Sequence, residues 1–574
     1  MSLNNYRRSE HVRAVWPWLP LWLVVALLAI FSHGPMPLYS TRTLAVAWEM
    51  WSHGHWLVPY INGQPYSEKA PLLFWLIHAG WFAFGVSDVW PRVLEVLLGG
   101  TQLVLLATLA RRLFPQQPWV TKAAPWMLLA LSFAFLFGLQ IMYDVLLAVW
   151  TLAALLCLAP KGQRMEPRWI AFGVCIGLGL LTKGPVMLLH VIFPWLLGPL
   201  WNDWAREHRA RWYGRGVLSV LLGGVMLLAW ALPAGFSGGE AYRQKLFFTQ
   251  TAGRVVDGLA RAKDLQSHAR PFWWYLLTLP LLMFPFSGWP RAWVALARLR
   301  RPLSSGLRFA LCWLVPVFVT FSLISGKQLY YPLPEFAGGA LLLAGAIATL
   351  RERQPELAHN RWLGTWPLGL GGIVFAAVLF VLPILVANHT WQGEWPEAAA
   401  PYSRYLSVVF LLLGCLLLLR GRGELRRLAI AGLIGAFALN VLFTLTLWPR
   451  YDLRPSSNLL HNADSANQPI AYLGDYAGQF DFAGRLLHPI TIINEGTLQE
   501  FARAHPHGLI VTHPETTNPN DLRYSLLVQP FRSSWIVIWP AEALADLHAG
   551  HKPAEPTQPT QVFSAGAWSY RTQP

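Results

Sequence analysis

Charge is what this chain has little of: 13% of its 574 residues are Asp, Glu, Lys or Arg, against about 25% in an ordinary soluble protein. That shortage excludes a soluble globular chain. Cysteine is equally sparse, and Cys157, Cys175, Cys312 and Cys415 all lie in apolar runs with no CxxC spacing. Neither a disulfide framework nor a thiolate metal site fits that pattern, and the four read as small core residues. The N-terminal stretch has Arg7, Arg8 and Arg13 ahead of its first apolar run, but no small-residue cleavage site follows. We expect a retained span and not a cleaved signal. What the chain does hold is apolar, with 54% hydrophobic residues, 31 Trp, 30 Phe and a mean hydropathy of +0.37. Long Leu/Val/Ala runs broken by short polar stretches are the composition of a polytopic α-helical membrane protein. The net charge of +16 sits in short Lys/Arg clusters between those runs, as the positive-inside rule requires, so nucleic acid drops out as a partner.

About 20 apolar residues cross about 30 Å of hydrocarbon. Windows of that kind lie near 15–33, 92–110, 120–140, 145–159, 168–183, 185–201, 215–235, 272–290, 307–325, 331–350, 363–387, 405–419 and 428–448, about thirteen in all. A further run, 71–86, is short and aromatic-rich. If it lies along the surface as an interfacial helix, the basic loops around Arg111/Arg112, Lys161/Arg164, Arg206/Arg209/Arg211, Arg298/Arg300/Arg301, Arg351/Arg353 and Arg420/Arg422 all fall on the cytoplasmic side with the N-terminus. We therefore expect a cytoplasmic N-terminus and a transmembrane domain over 1–450. After about 450 the composition turns polar, with short β-rich runs such as PIAYLG, GLIVTH and SWIVIWP. These predict a small soluble α/β domain over 451–574, on the outer side of the membrane, ending in the polar tail HKPAEPTQPTQ.

That topology collects ionisable residues at the outer face. The first outer loop brings Tyr39, Arg42, Tyr66, Glu68 and Lys69; Asp144 and Lys183 stand at later outer turns. The loop 236–271 adds Arg254, Asp257, Arg261, Lys263, Asp264 and His268, and the turn SGKQLYYPLP adds Lys327, Tyr330 and Tyr331. Each alone has a bland reading. Asp144 can be a helix N-cap, Lys183 a snorkelling lysine, and the tyrosines part of an aromatic belt. Together they mark a polar cavity for a charged ligand, and an anionic lipid headgroup suits the basic members. A transporter is the competing class, but it would carry polar groups at mid-span, whereas here they lie at the outer ends.

The motifs xTRxxxVAWEMWxxGxWLVPxxNGxPYxEKxPLLFWL in 41–76, YDVLL at 143–147, LLTKGP at 180–185, ARPFWWY at 269–275 and KQLYYPLP at 327–334 resemble the polyprenyl-phosphate sugar transferases of the protein mannosyltransferase and lipid A aminoarabinose transferase kind. The resemblance spans about 15–450 and implies a GT-C membrane fold in a bacterial inner membrane. It also implies a glycosyltransferase that moves a sugar from an undecaprenyl-phosphate carrier to a lipid, glycan or protein acceptor at the periplasmic face. By the same resemblance, Arg42, Tyr66, Lys69, Tyr331 and Lys327 bind the donor phosphate, Asp144 is the catalytic carboxylate, and Glu68 with His268 holds a divalent metal such as zinc. One position departs from the family, since Tyr39 stands where its first-loop acid belongs. The stretch 33–44 contains neither Asp nor Glu, so a lipid-binding member that has lost catalysis is the second alternative.

Overall fold

The computed structural model describes residues 18–160, 165–247, 269–421, 423–554, 559–564 and 567–571. Helices occupy every apolar window: α1 (Leu19–Ile30), α2 (Ser40–Ser52), α3 (Leu72–Phe84), α4 (Val89–Leu113), α5 (Pro118–Ala130), α6 (Ser132–Gly138), α7 (Tyr143–Leu158), α8 (Trp169–Lys183), α9 (Val186–Leu196), α10 (Arg209–Ser237), α11 (Trp274–Leu282), α12 (Ser305–Leu323), α13 (Leu333–Arg353), α14 (Trp366–Ala387), α15 (Glu394–Leu418) and α16 (Glu424–Thr446). Seven of these, α4, α10 and α12 to α16, are individually long and apolar enough to cross a membrane, and α5 with α6 makes an eighth bent by 70°. The other windows hold shorter helices than the thirteen-span expectation requires, down to nine residues in α11. Prolines explain part of the shortening, because Pro280 and Pro194 fall inside α11 and α9 and proline removes a helical hydrogen bond. Helix α3 has 13 residues, about 20 Å at 1.5 Å per residue, which is short of the hydrocarbon thickness.

Close packing rests on small residues where helices cross. A Cβ on Gly223 of α10 would come within 2.6 Å of Ile176 Cγ2 on α8, and one on Gly173 within 2.8 Å of the Ser219 carbonyl oxygen, so the two backbones meet through glycine. The basic turns gather at one end. Arg112 and Arg168 both donate to the Leu156 carbonyl at 2.8 and 3.0 Å, Arg353 donates to the carbonyls of Arg300 and Pro302 at 2.8 and 2.6 Å, and Arg351 lies 3.9 Å from the ring centre of Trp119. The ends of α7 and α8 remote from those turns carry Asp144 and Lys183.

Beyond residue 450, helix α17 (Arg454–Ser465) leads into a seven-stranded sheet. Counting the first-loop hairpin strands Tyr60–Ile61 and Gln64–Pro65 as β1 and β2, the sheet strands are β3 (Ile470–Leu473), β4 (Thr491–Ile493), β5 (Leu509–Thr512), β6 (Leu527–Phe531), β7 (Ser534–Pro540), β8 (Gln561–Ser564) and β9 (Ala567–Arg571). Their order is β4-β3-β5-β7-β6-β8-β9, with β3 parallel to β4 and β5 and β7 antiparallel to β5 and β6. Side chains alternate between the faces. Tyr472, Val511 and Ile538 pack with Leu460 and Phe480 on one face, while Ala471, Ile510 and Val537 pack with Phe501 and Leu544 on the other.

The segment ahead of β4 docks on the stretch that runs from α2 through the β1–β2 hairpin to α3. Asn62 and Ile490 exchange two hydrogen bonds, at 2.9 Å and 2.7 Å; the Trp48 indole donates to the Leu486 carbonyl at 2.8 Å; and Trp81 stacks on Phe482 with ring centres 5.5 Å apart. Asn62 and Gly63 turn the β1–β2 hairpin with φ of +50° and +73°, a left-handed pair that an Asn-Gly sequence supplies at low cost.

Candidate active site

Helix α7 begins at Tyr143, and its cap position is Met142 with no side-chain cap bond, so Asp144 is no N-cap. It sits inside the first turn with its side chain 0% exposed. Its carboxylate is held by side chains from two other segments. Lys183 Nζ forms an ion pair with Oδ1, and the Tyr39 hydroxyl donates to Oδ2 at 3.3 Å. Lys183 reaches inward from the last turn of α8, where Gly184 at φ +70° reverses the chain. Its ammonium lies 4.9 Å from the ring centre of Tyr331 and 5.8 Å from that of Tyr330. The snorkelling alternative is thereby replaced, because a carboxylate buried without a cation is costly. Tyr39 is half-buried and edges against Tyr330 at 5.5 Å. Burial and the charge of Asp144 hold its phenol well above the ordinary tyrosine range, so it keeps its proton at neutral pH.

A second group stands beside the first. Arg42, in the first turn of α2, lies 3.9 Å from Glu68, both side chains being partly exposed. The Tyr66 hydroxyl donates to the same Glu68 oxygen at 3.3 Å, and Lys69 approaches the ring of Tyr143 at 5.8 Å. Burial raises the Tyr66 phenol. Cations, phenols and one accessible carboxylate thus line one polar patch, and Tyr143 next to Asp144 links the two groups.

Several expectations separate here. Arg42, Tyr66, Lys69, Glu68, Asp144 and Tyr331 come together. Lys327 stands differently, for it is 2% exposed and its ammonium donates to the backbone carbonyls of Arg270, at 2.9 Å, and of Ile324. It ties the α12–α13 turn to the Ala269–Gly326 bridge. His268 lies outside the described residues, as do Arg254, Asp257, Arg261, Lys263 and Asp264. Among the described residues no three His, Cys, Asp or Glu side chains gather as metal ligands, and Arg42 and Tyr66 both meet one oxygen of the Glu68 carboxylate. Of the pair expected to share a divalent metal, Glu68 alone is among the described residues.

Sequence reasoning passed over a deeper pair. His190 Nδ1 of α9 meets Glu335 Oε1 of α13 at 2.7 Å, both side chains nearly sealed. The two are 145 residues apart, and no local pattern announces that they meet. Glu95 of α4, 0% exposed, accepts from the Met142 amide at 3.2 Å and fixes the chain just ahead of Asp144.

Comparison with known proteins agrees with the motifs. The dolichyl-phosphate-mannose-protein mannosyltransferase family matches residues 68–230. An undecaprenyl phosphate-alpha-4-amino-4-deoxy-L-arabinose arabinosyl transferase of Sodalis glossinidius (strain morsitans) is 32% identical over 375 residues, 62% of this chain and 63% of its own length. Another, of Edwardsiella ictaluri (strain 93-146), is 27% identical over 420 residues, 70% and 72% of the two chains. The chain therefore spans from 63% to 72% of the length of these two relatives. Among solved structures, ArnT from Cupriavidus metallidurans bound to undecaprenyl phosphate superposes with a TM-score of 0.69 at 20% identity, over 91% of this chain and 97% of that one. The fold is that of ArnT, and the resemblance to GT-C polyprenyl-phosphate sugar transferases read from the motifs is borne out.

Proposed function

We propose that this chain is a multi-pass glycosyltransferase of a bacterial inner membrane that moves a sugar from an undecaprenyl-phosphate carrier to a lipid, glycan or protein acceptor at the periplasmic face. The observation that carries the reading is the patch itself, where Arg42, Lys69 and Lys183 stand around Tyr66, Tyr143 and Tyr331 with Asp144 behind them. Inverting transfer needs positive charge where the phosphate departs and a group that receives or orients the acceptor proton. Arg42 and Lys69 serve the phosphate, with Tyr66 and Tyr331 beside them, and Asp144 supplies the carboxylate. The names of the relatives make undecaprenyl-phosphate-linked 4-amino-4-deoxy-L-arabinose the first donor to try. We take the N-terminus as cytoplasmic, α3 as surface-lying, the windows as thirteen crossings and 451–574 as a periplasmic domain; labelling of single cysteines at Ser87 and Asn467 from outside tests that arrangement. The alternative, a carrier-binding chain that has lost transfer, draws on Tyr39 in the family's acid position.

A charge-assisted contact to phosphate contributes about 1.5–3 kcal/mol. Lys69→Ala and Arg42→Ala should therefore each weaken undecaprenyl phosphate binding by about tenfold or more, read as a dissociation constant on the purified full chain. An unchanged constant in both variants would remove the anionic lipid from this place.

A further inference from the structure

Asp144 is the carboxylate on a matching motif, yet its side chain has no exposed surface, one oxygen is paired with Lys183, and the other accepts from Tyr39 at 3.3 Å. Lys183 and Tyr39 cover this carboxylate and both are half-buried, but of the two only the phenol can accept a proton, since the ammonium has no lone pair. The phenol has its proton committed to Asp144 and its remaining lone pair free to accept a hydrogen bond. Tyr39 occupies the first residue ahead of α2, three positions before Arg42, so whatever it contacts lies beside the phosphate-binding arginine.

Resting on the transferase reading above, we propose that Tyr39 is the group that meets the acceptor hydroxyl, and that it passes the proton on to Asp144, which acts behind it as a positioning and proton-receiving residue. In the step, the acceptor O–H bond breaks as its oxygen bonds to the anomeric carbon. That proton goes to Tyr39 Oη while the proton of Tyr39 goes to Asp144 Oδ2. The bond between the anomeric carbon and the phosphate oxygen breaks, and its electron pair leaves with the polyprenyl phosphate. One proton is then held on Asp144 and one more negative charge on the carrier; the proton returns to water after product leaves, and the charge departs with the polyprenyl phosphate. A chain that carries a tyrosine in place of the family's first-loop acid thus keeps a base, moved one hydrogen bond back from the substrate. The pinned phenol proton supports this direction of transfer, since burial and the neighbouring carboxylate oppose an ionised Tyr39.

The test uses the purified full chain with undecaprenyl-phosphate-linked 4-amino-4-deoxy-L-arabinose as donor and a lipid extract of the host envelope as acceptor pool, reading released undecaprenyl phosphate. Tyr39→Phe keeps the ring packed on Tyr330 and removes only the hydroxyl. It should lower kcat by about 10²-fold or more, in the range of general-base catalysis, with the KM for donor unchanged and the solvent deuterium effect on kcat abolished. Tyr39→Asp should restore turnover to at least a tenth of wild type. Full turnover in Tyr39→Phe while Asp144→Asn is inactive would overturn the relay alone and leave the transferase reading standing. A wild-type chain that releases no carrier, with Tyr39→Asp gaining that activity, would overturn the transferase reading and the relay with it.

Discussion

Asp144 in the helical bundle and Asp481 in the C-terminal segment are both buried, at 0% and 6% exposure, but they keep different company. Asp144 has a lysine against one oxygen and a phenol against the other. Asp481 has only the Tyr476 hydroxyl on one oxygen, no ion-pair partner among the described residues, and Glu49 and Asp464 near enough to add negative charge. The outcome follows from the partner. Burial without a cation, together with the nearby carboxylates, pushes Asp481 up to about 7, whereas Asp144 is held as one half of an ion pair. The same side chain is thus paired with a lysine in one place and left without a cation in the other, and the paired one is the one that stands beside Arg42, Lys69 and the tyrosines.

The largest effect should come from taking the lysine away from the first aspartate. Lys183→Met strands a sealed carboxylate, a change that costs about 3–5 kcal/mol when one partner of a buried pair is removed. Adding Asp144→Asn removes the stranded charge, so the double variant should be more stable than Lys183→Met alone. Thermal unfolding of the four chains in detergent reads the cycle. Lys183→Met melting with the wild type would make the pair incidental and erase the contrast with Asp481.

Much of this arrangement was legible in the residues and some of it was not, for identifiable reasons. Loop charge and apolar length located the helices and gathered Tyr39, Arg42, Glu68, Lys69, Asp144, Lys183 and Tyr331 at one face, because those signals are local and additive. The direction of a lysine is not local. Lys183 and Lys327 each stand at a turn beside a helix end, yet one folds onto a carboxylate and the other onto two backbone carbonyls. The difference is decided by what α7 and the segment at Arg270 bring alongside. His190 with Glu335, and Asn62 with Ile490, meet across 145 and 428 residues, separations over which a one-dimensional pattern carries nothing. Helix lengths were overestimated where hydropathy ran on through prolines that end the hydrogen-bond ladder.

A middle-sized effect belongs to Asp481 and depends on pH. Its folded form binds a proton more tightly than the unfolded chain, whose carboxylate titrates near 3.8. It therefore contributes stability that is fully present below that value and lost as pH rises through about 7. Asp481→Asn is neutral throughout and nearly the same shape. Between pH 5.5 and 8 the melting temperature of the wild type should fall more than that of the variant, and at pH 8 the variant should be the more stable. Parallel falls in the two chains would mean that Asp481 is charged in both states, and the comparison would lose its second half.

The smallest effect should come from the contact that joins the two regions. Asn62 and Ile490 exchange two hydrogen bonds, each contributing about 0.5–1.5 kcal/mol net. Asn62→Gly removes both while glycine still adopts the left-handed turn at φ +50°, so backbone strain does not enter the result. The Trp48 to Leu486 bond and the Trp81 to Phe482 stack remain, and they should keep the C-terminal segment seated. Hydrogen exchange is the suitable measurement because it reads local opening. The Ile490 amide, which donates to Asn62 and to no strand, should exchange about tenfold faster, with undecaprenyl phosphate binding changed by less than about twofold, since Arg42 and Lys69 are untouched and about 1.4 kcal/mol corresponds to a factor of ten. If binding falls as far as it does in Lys69→Ala, the hairpin between β1 and β2 is setting the position of the phosphate patch. The two aspartates would then belong to one mechanical unit and not to two.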